Sequence, residues 1–157
     1  NIYNSRAMHY LRANGIDSQL LSFEMTLPQI RDVSKAVPAE VLIYGRLPLM
    51  VMENCVMKNR TGTCSCQTTQ TKLIDRMGEE FPIVKDPGTC RNVLLNGKKL
   101  YLLDKKDVFR GMGLWALRLQ FTTENAGEVD RVLSEYRLGA RFEPGSCTRG
   151  LYNRGVE

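Results

Sequence analysis

Cys55, Cys64, Cys66 and Cys90 fall within 36 residues, with the spacing C-x8-C-x-C-x23-C. Thiolates are soft donors, and four that converge on one point hold zinc or an iron–sulfur cluster. The spacing is neither that of a zinc finger nor that of the common ferredoxins. Cys64 and Cys66 can reach one metal from an extended loop, and Gly62 just before them permits one. The competing reading is four unligated thiols. Cys147 stands apart and reads as a lone thiol that is no ligand. Five cysteines cannot all pair within one chain, and no signal peptide is recognised at the start. A reducing, cytoplasmic compartment with thiolate ligands is therefore expected rather than disulfides.

Two further residues have the chemistry of a catalytic site. Arg46 follows the apolar run Val41-Leu42-Ile43-Tyr44, and Glu24 follows Gln19-Leu20-Leu21-Ser22. Both runs read as strands, and in a parallel barrel the C-terminal ends of the strands form the active face. Arg46 there clamps a carboxylate or phosphate, and Glu24 serves as acid/base or orients Arg46. A structural ion pair or cap explains them equally well. Asn1 and Asn4 are weaker candidates for the same face. Glu53, two residues before Cys55, supports a metal ligand or is simply solvated. Asp75 and Arg76 read as turn residues. His9, the one histidine, reads as a surface or core residue of a helix.

Several familiar chemistries are excluded within these residues. A single histidine and no G-x-S-x-G elbow leave no basis for a Ser-His-Asp or Cys-His protease site. No H-E-x-x-H, G-x-G-x-x-G or Walker motif occurs. The net charge of +5 is spread in small clusters such as Lys98-Lys99 and Lys105-Lys106. It is a solvated surface or an attraction for a polyanion such as RNA. No run nears the roughly 18 apolar residues that span a bilayer, so no membrane segment is expected.

The elements that must position these residues alternate. A helix capped by Asn4 or Ser5 runs to about Asn14, before Gly15. Thr26 and Gln29 form a capping box for a second helix, whose stripe of Leu27, Ile30, Val33 and Val37 ends at Pro38. Val41–Tyr44 is the kind of continuous strand a parallel sheet buries on both faces. Near the C-terminus a helix from Asp104 or Asp107 to Gly111 precedes a strand through Trp115, Leu117, Leu119 and Phe121. A last helix, capped by Thr122 or Thr123, ends at Gly139. Between these α/β halves, residues 50–103 are rich in Cys, Gly, Thr and Asn. They predict a β-rich insertion, with one hairpin turning at Gly78 and another at Asn96-Gly97. The tail from Ala140 to Glu157 reads as a loop or docking segment.

Several peptides together resemble the peptidase U32 (collagenase-like) family. They are Leu21-Ser22-Phe23-Glu24-Met25-Thr26-Leu27, the run from Glu40 to Val51, Glu53-Asn54-Cys55, Leu73 to Gly78 with Phe81-Pro82-Ile83, Thr148-Arg149-Gly150 and Arg154-Gly155-Val156. The resemblance implies an α/β fold. Residues 1–157 are then a single domain, the C-terminal portion of a partial TIM-like (β/α) barrel, with the cysteine-containing insertion at about 50–103. It implies Cys55, Cys64, Cys66 and Cys90 as ligands of an iron–sulfur cluster, zinc being the other metal. Relatives often separate the middle two cysteines by more. Oxidative modification of RNA, a hydroxylation, is the activity implied for the intact protein. Peptide hydrolysis, which the family label asserts, and a non-catalytic module that binds RNA or protein are the alternatives. Only three strands of the α/β type are visible, and a closed barrel needs eight. A homo-oligomer, or docking to the missing part of a barrel, is expected to cover the exposed edges.

Overall fold

The computed structural model describes residues 2–33, 36–63, 71–86, 88–139 and 145–152. The order of elements is α1 (Ser5–Ala13), β1 (Gln19–Leu20), α2 (Leu27–Asp32), β2 (Ala39–Gly45), β3 (Pro48–Met52), α3 (Val56–Thr61), β4 (Thr71–Ile74) and β5 (Glu80–Lys85). There follow β6 (Asn92–Leu95), β7 (Lys99–Tyr101), a 3-10 turn (Leu103–Lys105), α4 (Lys106–Arg110), β8 (Ala116–Leu119), α5 (Ala126–Leu138) and β9 (Cys147–Thr148). The chain divides into two compact units, Arg46–Lys99 and the remainder.

In the first unit β2 is buried at every position, as its apolar run requires. β1 and β8 lie parallel to it on opposite sides, with Leu20 beside Glu40 and Leu117 beside Val41. Ile2 adds a parallel bridge to Leu21. Segments that neighbour one another in the parallel part thus follow chain order: Ile2, β1, β2, β8. β7 runs antiparallel beside the last two residues of β2, and β9 lies beyond β7. The result is a mixed α/β fold with two sheets, and no closed barrel forms among the described residues.

The helices pack through a few apolar side chains. Met8, Leu103, Phe109 and Val132 are fully buried with Ile43 and Tyr44. Burying each such large side chain contributes about 1.5–3 kcal/mol. Asn4 caps α1, its Oδ1 accepting from the Ala7 N–H at 2.9 Å. The Thr26–Gln29 capping box opens α2, but that helix ends at Asp32. Val33 is extended, with ψ 142°. Val33 and Val37 are still buried, although both lie beyond the end of the helix. α5 begins later than its threonines suggest. Glu124 Oε2 accepts from the N–H groups of Thr122 and Thr123 and holds both in a turn. Asn125 and Glu128 then cap reciprocally and start the helix. Inside the parallel sheet, buried Glu40 accepts from Arg118 Nε of β8 at 2.8 Å.

The second unit is a four-stranded antiparallel sheet in the order β3-β6-β5-β4. The β4–β5 hairpin turns at Gly78, whose φ is +84°, as the sequence predicts. Asp75 Oδ1 accepts from the N–H groups of Met77 at 2.8 Å and Glu79 at 2.9 Å. Asp75→Ala removes both bonds, and urea unfolding is expected to show a loss of about 1 kcal/mol.

The second expected hairpin does not form. β6 pairs with β3 and β5, whereas β7 pairs with β2. Asn96-Gly97 is the point where the chain leaves one sheet for the other. Its turn is pinned to the segment entering β3: the Asn96 N–H donates to the Leu47 carbonyl at 2.8 Å, and Arg46 Nη1 donates to the carbonyls of Asn96 and Gly97. A two-residue turn signal reports local backbone preference only, and here the long-range bonds decide where the strands go.

Candidate metal centre

β3 ends at Met52, opposite Asn92, where β6 begins. Cys55 lies three residues beyond the first point, and Cys90 two residues before the second. Two clasps hold these segments side by side. Buried Asn92 accepts from the Val56 N–H through Oδ1 at 2.8 Å. Arg91 Nε pairs with Glu53 Oε1 at 2.8 Å. Each clasp joins an immediate neighbourhood of Cys55 to one of Cys90.

Cys55 is half-buried and caps α3, its Sγ accepting from the Lys58 N–H at 3.5 Å. Cys90 is exposed. Cys64 and Cys66 lie outside the described residues, in the segment between Thr63 and Thr71. Thr71 opens β4 opposite Ile83, and β5 ends at Lys85 opposite Asn92. The start of β4 therefore lies toward the same end of the sheet as the start of β6. Thr71 Oγ1 also donates to Met57 Sδ of α3 at 2.6 Å. Cys55 and Cys90 lie in connections that leave this end. Among the described residues no three His, Cys, Asp or Glu side chains group closely enough to hold a metal ion.

The model of peptidase family U32 matches residues 1–141. The chain belongs to peptidase family U32. Searches of curated proteins and of solved structures return no significant match.

In this U32 chain the other candidate residues are divided between the two units. Glu24 follows β1 in the first unit and is half-buried. The Tyr3 hydroxyl donates to its carbonyl at 2.9 Å, and its N–H donates to Ser22 Oγ at 3.2 Å. Its carboxylate has no partner among the described residues. Arg46 opens the second unit, with Nη1 taken up by two turn carbonyls. Asn4 is a helix cap, and Asn1 and the Arg154-Gly155-Val156 peptide lie outside the described residues. Glu53 serves in the clasp with Arg91. His9 is exposed on α1. Cys147 sits in β9, half-buried.

Two residues escaped the sequence reading. Asn92 anchors the cysteine-bearing segments, and its signal was a lone Asn two residues after a cysteine and just before an apolar strand. Tyr44 lies next to the end of β2, and its hydroxyl donates to Glu124 Oε1 at 3.4 Å. Its ring packs on Phe121 at 5.6 Å between centroids. It was legible only as one more apolar strand residue.

Proposed function

We propose that this U32 chain carries a cysteine-ligated metal site, an iron–sulfur cluster in preference to zinc, at the clasped end of the antiparallel sheet. The ligands are Cys55, Cys64, Cys66 and Cys90. The observation that supports it is the pair of clasps, Asn92 to Val56 and Arg91 to Glu53, which bring residues 91 and 92 beside residues 53 and 56. The donor set fits: thiolates suit both metals, and Cys55 and Cys90 are free thiols in the connections between elements.

The reaction we favour is oxidative modification of an RNA base, in a reducing cytoplasmic setting that keeps the thiols available. When bound, a cluster supplies the electron transfer that such chemistry draws on. Glu24 holds or moves a proton at its carboxylate, which has no partner among the described residues. Arg46 orients the backbone that follows β2 through its bonds to Asn96 and Gly97. The net charge of +5 favours a polyanionic substrate.

Anaerobic purification with iron and sulfide analysis tests the site. Cys55→Ser and Cys90→Ser are each expected to lose bound iron, whereas Cys147→Ser retains it. Unchanged metal content in both of the first two variants overturns the assignment. Glu24→Gln is expected to keep its iron and to lose base modification, read by mass spectrometry of RNA nucleosides.

A further inference from the structure

The surplus positive charge is unevenly divided. The smaller unit, Arg46–Lys99, holds nine Lys and Arg against five Asp and Glu, which is four of the chain's five net charges. At its clasped end both carboxylates have partners. Glu53 pairs with Arg91, and Asp86 Oδ2 accepts from the Thr89 hydroxyl at 3.0 Å. Lys58, Arg60 and Lys85 are exposed there, and none of their side chains has an ion-pair or hydrogen-bond partner among the described residues. These three cations share one side of the sheet. Lys85 stands directly opposite Asn92 on the β5–β6 ladder, so both side chains leave the same face, about 5 Å apart at Cβ. From that face Asn92 reaches the Val56 N–H at the start of α3, and α3 carries Lys58 and Arg60. Among the described residues, the free charge around Cys55 and Cys90 is therefore all positive.

We propose that the α3 side of the clasped end is the surface on which RNA lies, with Lys58, Arg60 and Lys85 each holding a backbone phosphate beside the cysteine site. The choice of RNA rests on the activity proposed above, and the surface adds the residues that hold the strand. Charge complementarity selects a polyanion, because cations without partners displace the counterions that phosphates carry. From Asn54 to Ile74 the sequence has no Asp or Glu, so nothing in that stretch repels a phosphate. The surroundings of the cations select RNA over an acidic protein. A protein interface has an apolar centre. No large apolar side chain is exposed among the described residues of 53–61 and 85–91. Exposed there instead are Asn54, Asn59 and Thr89, whose amides and hydroxyl are of the kind that bond phosphate and sugar. Such contacts fix the position of a strand without reading its bases, and they leave a base free to be presented at the metal.

Fluorescence anisotropy of a short labelled single-stranded RNA, titrated with the whole chain at several salt concentrations, tests this. The variant Lys58→Gln/Arg60→Gln/Lys85→Gln is expected to bind at least about tenfold more weakly. Its log–log salt slope is expected to be shallower by roughly 2, as the loss of three phosphate contacts on a single strand requires. The control Arg6→Gln/Arg76→Gln/Lys98→Gln removes the same charge from exposed positions elsewhere and is expected to bind nearly as the wild type does. Circular dichroism is expected to be the same for all three proteins, and so is iron content. Equal losses in the two variants, an unmoved salt slope, or poly-glutamate that competes as well as unlabelled RNA overturns the proposal, the last by marking the surface for an acidic protein. Iron separates this surface from the metal assignment. A wild type without iron that still needs these three residues for RNA overturns the metal assignment alone. An iron-loaded wild type whose affinity the first variant leaves unchanged overturns the RNA surface alone.

Discussion

Gly45→Ala is expected to destabilise the first unit by more than about 3 kcal/mol, read as a fall in the urea midpoint or as failure to recover folded protein. Gly45 ends β2 with φ +130°, a backbone conformation that only glycine adopts without strain. A Cβ there would also sit against the Gln120 carbonyl, 3.1 Å from its carbon and closer still to its oxygen. That carbonyl belongs to backbone that is itself tied to β2, since the Gln120 N–H donates to the Tyr44 carbonyl at 2.9 Å. Neither partner can retreat without breaking the β2–β8 ladder. Strain and overpacking therefore add. The contrasting variant is Gly78→Ala, which has open space for a Cβ and is expected to show the backbone term alone.

Tyr101→Phe is expected to cost about 1–3 kcal/mol at neutral pH. The Tyr101 hydroxyl donates to Glu135 Oε1, and both residues are buried. Glu135 Oε2 is already without a partner among the described residues. Removing the hydroxyl leaves the other oxygen in the same position, and a buried unsatisfied acceptor carries its full desolvation cost. The same pair makes a pH signature. Burial raises the Tyr101 pKa above the ordinary tyrosine value, and the hydrogen bond to Glu135 raises it further. Above a pH of about 10 the unfolded chain loses this proton while the folded chain keeps it. Stability from this group is then complete below that pH and falls as pH rises, by up to about 1.4 kcal/mol per pH unit. The stability gap between wild type and Tyr101→Phe should narrow in alkaline buffer. A gap that stays constant or widens there would show that the hydroxyl is not held as described.

Periodicity and caps made most individual elements legible. Asn4, the Thr26–Gln29 box, Gly78 and Gly139 mark boundaries through bonds within a few residues, and such bonds survive in any tertiary setting. The apolar run of β2 announced a strand buried on both faces for a similar reason, because burial is a property of the whole run. The cysteine spacing named a candidate chemistry without placing it.

What stayed illegible depends on partners far along the chain. Asn96-Gly97 has the local signature of a hairpin, yet bonds from Arg46 and to Leu47 send its flanking strands to different sheets. Asn92 looks like any polar residue before a strand until its side chain is seen holding Val56. Glu135 sits on α5 as an ordinary helical glutamate, and only the approach of β7 buries it against Tyr101. The amino-acid sequence by itself determined most of the helices and strands and which thiols are available, because turns, caps and apolar runs are local, but it missed α3 inside the insertion expected to be β-rich. Tertiary structure alone decided which strand lies beside which, and so which cysteine segments share one end of a sheet, because that choice rests on hydrogen bonds and burial between residues dozens of positions apart.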